Sequence, residues 1–194
     1  MFSVEGAQKT HGFTLVELLV SISILLIIIS IVVFRFSSFD SIILLRTLAY
    51  DIGLSIRTAQ SYSLSAQGRN DNFRIPYGVS FTPGASSYAF FGYSGVSDTP
   101  QYQTGDTIDL FKLGRSFQIT DVCVIVGSVE DCDIDRLDVS FKRPEYTALF
   151  YIPGYTGDLT AIGWGVIKIA STRNPDMVGR IEISLPGQIE VAVE

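Results

Sequence analysis

Residues Lys9 to Phe34 read KTHGFTLVELLVSISILLIIISIVVF, and this stretch decides the architecture. From Leu18 to Phe34 it runs 17 residues without a charge, with Ser21, Ser23 and Ser30 as the only polar members. Counted from Phe13 it supplies 22 residues carrying one charge, Glu17, where a helix needs roughly 20 apolar residues to cross a bilayer. A secretory signal would show an apolar run of about 7–15 residues and then a small-x-small cleavage site. Val32-Val33-Phe34-Arg35-Phe36 offers no such site. The segment is therefore expected to stay on the protein as a span. Glu17 is the anomaly within it, because a carboxylate in hydrocarbon costs up to about 3 kcal/mol at mid-depth and less near an end. Two explanations stand open: an acid in the first helical turn, favoured by the helix dipole, or a carboxylate with a dedicated positive partner.

Outward from this block the composition is ordinary. The chain has 194 residues, 47% apolar and 18% charged, with a mean hydropathy of +0.33 that the apolar block accounts for. One hydrophobic segment plus roughly one domain fits these figures, and a multi-span or disordered chain does not. The net charge is -6. From Gly68 onward there are 10 basic and 16 acidic residues, the opposite of what phosphate neutralisation requires. Lys9 before the span and Arg35 and Arg46 after it nearly balance, so the positive-inside rule does not orient the segment.

Lys9-Thr10-His11-Gly12-Phe13-Thr14-Leu15-Val16-Glu17 followed by a long apolar helix resembles the class III leader of bacterial type IV prepilins and pseudopilins. The resemblance implies cleavage by an integral-membrane prepilin peptidase after Gly12 and methylation of the new amino terminus on Phe13. It implies that Glu17 is the assembly carboxylate, meeting the amino-terminal charge of a neighbouring subunit in a filament, so that two charges costly in lipid neutralise each other. Implied partners are other pilin or pseudopilin subunits, the peptidase, and the inner membrane before assembly, with the C-terminal domain outside the cytoplasm. No cofactor is implied.

The helical pattern continues beyond the span. Ile42, Leu45, Leu48 with Ala49, Ile52, Ile56, Ala59 and Ser63 follow a three-to-four spacing that marks one core-facing stripe. Asp40, Arg46, Asp51, Arg57 and Gln60 largely fall off it. No proline precedes Pro76, and Gly68 is the expected C-cap. A continuous helix from Phe13 to Gln67 would reach about 80 Å at 1.5 Å per residue. Many major pilins carry a kinking proline near the position of Phe34; its absence here departs from that pattern and predicts a straighter helix.

After Gly68 the period changes to two. Leu137, Val139 and Phe141 alternate with Asp138, Ser140 and Lys142. Ile181, Ile183 and Leu185 alternate with Arg180, Glu182 and Ser184, and Pro186-Gly187 turns the chain into Ile189, Val191 and Val193, a hairpin signal. Further strands are expected at 77–81, 88–93, 108–113, 117–126, 148–152 and 165–170. The fold class is α+β: a long N-terminal helix whose second half packs on an antiparallel β-rich domain, as in pilins. The expected divisions are a leader (1–12), a hydrophobic helix (13–36), its amphipathic continuation (37–67) and an extracytoplasmic β domain (68–194). Leu48-Ala49-Tyr50-Asp51-Ile52, Ser55 to Gln60 and Gly68-Arg69 are similar to the GspH/FimT-type minor pilins and pseudopilins, which implies a two-sheet domain and a minor subunit.

Candidate chemistry in the domain is sparse. The one histidine, His11, lies in the leader, and cleavage would leave no imidazole for a catalytic triad or a metal. The chain has neither a G-x-S-x-G elbow nor a Walker-type loop, and a non-enzymatic role is expected. Cys123 and Cys132 could be buried thiols, half a zinc site or a disulfide. Zinc would lack two soft ligands, and export favours the disulfide. Glu130-Asp131-Cys132-Asp133-Ile134-Asp135 puts acids at alternate positions, but Arg136 and Lys142 stand where an EF-hand needs glycine and glutamate. A solvated acidic turn is expected, with a weak irregular calcium site on Asp131, Asp133 and Asp135 as the alternative. The basic pairs Arg69/Arg74, Lys112/Arg115 and Lys142/Arg143 are scattered, which speaks against a DNA-capturing pilin.

Overall fold

The computed structural model describes residues 14–65, 75–95, 99–114, 116–173 and 175–193, with the side chains of 34–41 left aside. The expected processing junction (Gly12, Phe13), His11, the C-cap Gly68 and Arg69, Arg74 and Arg115 fall outside these residues. The chain divides into two compact units, 1–40 and 41–194.

One helix, α1, spans Leu15–Leu64. In the first unit every side chain from Thr14 to Val33 is exposed. In the second unit the three-to-four stripe is the buried face: Leu45, Ala49, Ile52, Ile56 and Ala59 are at most 1% exposed. Ser63 ends the stripe and is polar for a reason. Its hydroxyl donates to Phe141 O at 2.8 Å and accepts from Tyr77 N at 2.9 Å, tying the helix to two strands.

Among the described residues the domain forms two five-stranded antiparallel sheets. The first, in order β3-β2-β1-β6-β7, comprises β1 (Tyr77–Phe81), β2 (Ser87–Gly92), β3 (Thr107–Lys112), β6 (Leu137–Phe141) and β7 (Ala148–Tyr151). The second, in order β10-β9-β8-β4-β5, comprises β4 (Phe117–Val126), β5 (Val129–Asp131), β8 (Ile162–Ser171), β9 (Val178–Ser184) and β10 (Ile189–Val193). The stripe of α1 and apolar residues of both sheets form one core, with Phe81, Phe141, Ile119, Ile167, Ile169 and Ile181 among its fully buried members. At Gly165 a Cβ would sit 2.7 Å from the Phe150 ring, so this position has no room for a side chain.

The expected hairpin is present, with Ile183 opposite Ile189. Gly187 N donates to Ser184 O at 2.8 Å, Ser184 N to Gln188 O at 2.9 Å, and Gly187 takes φ +84°. That is a three-residue loop whose left-handed position favours glycine.

Three features differ from the sequence expectation. Strand β8 begins at Ile162 rather than Gly165, because Ile162 and Trp164 already pair with Val126 and Ile125 of β4. The acidic stretch is not simply a turn: Glu130 and Asp131 lie in β5, paired with Ile125 and Val124. In β6 the alternation does not mark a solvent face, for Asp138 and Ser140 are both 0% exposed. The connection before β3 reaches this second face, with Tyr102 N bonded to Asp138 and the Tyr102 ring 5.7 Å from that of Phe91.

Candidate functional site

The amino-terminal helix starts on a defined cap. Thr14 Oγ1 accepts the amide of Glu17 at 3.2 Å, and Thr14 O accepts Leu18 N at 3.2 Å. Thr14 and Glu17 have the spacing of a capping box, which puts the carboxylate at the third helical position, where the dipole favours an anion. Farther in, the hydroxyls of Ser21 and Ser23 donate back to the carbonyls of Glu17 and Leu19 at 2.7 and 2.8 Å. Both serines thus satisfy their donors within the helix. Leu15–Val33 is 19 residues long with a mean hydropathy of 3.0, and none of it is buried. At 1.5 Å per residue it reaches about 28 Å, close to the hydrocarbon thickness of a bilayer. A helix apolar on every side and exposed throughout fits a single-pass membrane anchor.

Residues 8–33 match the family model described as the prokaryotic N-terminal methylation motif. The chain thus carries a type IV prepilin-like leader, and the class it points to is a pilin- or pseudopilin-like subunit. Comparison with curated proteins and with solved structures returned no match. The motif implies processing by prepilin peptidase and assembly with other pilins; it covers none of the β domain.

Within the domain, Cys123 and Cys132 form a disulfide with Cα atoms 4.0 Å apart. They continue the β4–β5 ladder one step beyond the Val124–Asp131 pair, which is why residues nine apart can bond. Cys123 is buried, and around the bridge Glu130 faces two cations. Its carboxylate lies 2.9 Å from Lys168 Nζ and 3.1 Å from Arg180 Nη1, while Arg180 also bonds Glu182. Hydrogen bonds from Arg180 and then Lys168 hold Glu130 below the usual carboxylate range.

The calcium alternative finds no geometric support among the described residues, since Asp131, Asp133 and Asp135 do not converge. Asp131 instead accepts the amide of Asp133 at 3.0 Å. The metal-type cluster that does converge is Cys123, Glu130 and Cys132, whose sulfurs are bonded to each other. For nucleic acid, Lys168, Arg180 and Arg136 each face a carboxylate, which lowers their availability to phosphate.

Sequence reasoning missed the buried carboxylate of Asp138. Its Oδ1 accepts Ser80 Oγ at 2.6 Å, and its Oδ2 accepts Tyr102 N at 2.8 Å and Arg136 Nη2 at 3.1 Å. Arg136 also stands 5.8 Å from the Tyr102 ring centre. Burial pushes the Asp138 carboxyl above its usual range, with Ser80, Tyr102 and Arg136 opposing the shift. The available signal was Arg136 two residues before Asp138, a spacing that puts both side chains on one side of an extended chain.

Proposed function

We propose that this chain is a minor subunit of a type IV pilus-like filament, cut by prepilin peptidase after Gly12 and methylated on Phe13. The observation that carries the reading is the methylation motif at residues 8–33, which takes in the exposed apolar helical segment Leu15–Val33 with one carboxylate, Glu17, in its first turn. In this reading residues 1–12 are the leader, and the helix resides in the inner membrane before assembly. The domain faces the oxidising side, which the Cys123–Cys132 bridge supports. After assembly the same apolar surface packs among neighbouring helices, and Glu17 pairs with the amino-terminal charge of an adjacent subunit. The role is structural rather than catalytic. A pseudopilin of a type II secretion system shares every one of these features, and its filament would be periplasmic rather than on the surface.

N-terminal mass spectrometry of sheared surface filaments tests the proposal. The expected species begins at methylated Phe13, and Gly12→Ala leaves the uncut Met1 form in the membrane. Finding only Met1 protein in membranes of the unaltered strain would sink the reading. A processed, methylated form confined to the envelope would move it to the secretion system.

A further inference from the structure

The two sulfurs of the Cys123–Cys132 bridge have unlike surroundings. Cys123 lies in the row Cys123–Val166–Glu182 across β4, β8 and β9, on the face of the sheet opposite Val122 and Val124, which belong to the core. Cys123 and Val166 are nevertheless 0% exposed. The two-residue period puts Glu130, Lys168 and Arg180 on this same face, and their ion pairs reach from β5 across β4 to β8 and β9. Arg180 also bonds Glu182. The stems of these long side chains cover Cys123 and Val166 while their charged ends meet water. Cys132, in contrast, is exposed, one residue past the edge strand β5. Lys168 Nζ lies 3.8 Å from its sulfur and Glu130 Oε1 lies 3.7 Å from it. Glu130 is shared by two cations, so Lys168 retains positive charge to offer a thiolate forming on Cys132.

We propose that thiol–disulfide exchange enters this bridge only at Cys132, with Lys168 beside the reacting sulfur and Cys123 as the internal resolving sulfur. The external partner is a thiol–disulfide couple. When the bridge closes, the Cys132 thiolate attacks one sulfur of an external disulfide, and the other external sulfur leaves as a thiolate. Cys123 gives its proton to water, and its thiolate then displaces the external sulfur from Cys132. Two electrons pass from the cysteine pair to the external disulfide, which ends as two thiols. When the bridge opens the steps reverse. An external thiolate bonds to Cys132 Sγ, Cys123 Sγ leaves as a thiolate, and a second external thiolate removes the first from Cys132. This inference stands on the β domain alone and does not depend on the filament reading.

The test uses the purified full chain in detergent micelles, with glutathione as the external couple. The folded chain with its bridge intact is treated with reduced glutathione, quenched in acid, and its free thiols alkylated. Peptide mass spectrometry should find glutathione on Cys132 and the alkyl group on Cys123. Single variants give the closing direction with oxidised glutathione, their fold verified by Trp164 fluorescence. Cys123→Ser, which leaves the exposed thiol, should form its mixed disulfide about ten-fold faster than Cys132→Ser, which leaves the covered one. In urea that unfolds the chain the two rates should converge. Adding Lys168→Met to Cys123→Ser should slow the folded chain about three-fold, a smaller thiolate fraction partly offset by a more nucleophilic sulfur. Glutathione on Cys123, on both sulfurs equally or on neither would overturn the proposal. So would equal rates in the folded chain, a ratio that persists in urea, or a Lys168→Met variant reacting at the unaltered rate.

Discussion

Replacing Asp138 by alanine removes the acceptor on which three donors converge. The carboxylate is wholly buried, and its partners Ser80 Oγ and Tyr102 N come from a core strand and from the segment covering that strand's second face. Each of these two donors left without an acceptor costs about 1–3 kcal/mol. The Arg136 side chain is 27% exposed and can recover water, so its loss adds little. The expected total is about 2–6 kcal/mol, or a fall of roughly 1–3 M in the urea midpoint. Asp138→Asn should cost less, about 1–2 kcal/mol, because the amide oxygen can replace Oδ2 while the Ser80 hydroxyl rotates to accept the amide N–H.

The pH dependence adds a second reading. The folded-state pKa of Asp138 is raised above its unfolded value, so the folded chain holds this proton more tightly. The group therefore contributes less stability as pH rises through that window. The cost of Asp138→Asn, relative to the unaltered chain, should accordingly be larger in acid than at neutral pH. Urea unfolding in detergent micelles, followed by fluorescence of the single tryptophan, Trp164 on β8, measures all three quantities. An alanine cost below about 1 kcal/mol, or an asparagine cost equal to it, would refute the argument that Asp138 anchors the covering segment.

Other outcomes are open to the same assay. Removing the Cys123–Cys132 bridge, which closes a short loop between β4 and β5, should cost about 2.5–3 kcal/mol on the chain-entropy model; a loss under about 1 kcal/mol would mean the unfolded chain is already constrained there. Glu130→Gln should cost only about 0.5–1 kcal/mol, since its cations are partly solvated, and the effect should shrink in high salt. Because the folded pKa of Glu130 is depressed, its contribution is present above the unfolded carboxylate pKa and is lost as pH falls through the folded value. Gly78→Ala should destabilise by about 1–3 kcal/mol through overpacking, because the new Cβ would sit 2.6 Å from Val139 O and 2.7 Å from the Phe91 ring; an unchanged midpoint would show that β1 and β6 can part at no cost.

Much of the molecule was legible in one dimension because burial on a single face leaves a period in the sequence. The uncharged run from Leu18 to Phe34 required an apolar helix, and it is exposed over its described side chains, to Val33. The stripe from Ile42 to Ser63 required a core-facing one, and its members Leu45, Ala49, Ile52, Ile56, Ala59 and Ser63 are buried while Ile42 and Leu48 are half-buried. The alternation around Pro186-Gly187 required a hairpin, and all three are present. What escaped lies where a second, distant segment covers a face that the local pattern had assigned to water. Asp138 looks like a solvent-side residue of β6 until the chain near Tyr102 folds over it, and Ser140 beside it is buried as well. Glu130 looks like part of a solvated turn until β5 pairs with β4 and brings it to Lys168 and Arg180, which are remote in sequence. Local periodicity records which side of an element is apolar. Whether its polar side meets water or protein depends on contacts between residues far apart in the chain, and those exist only once the tertiary structure has formed.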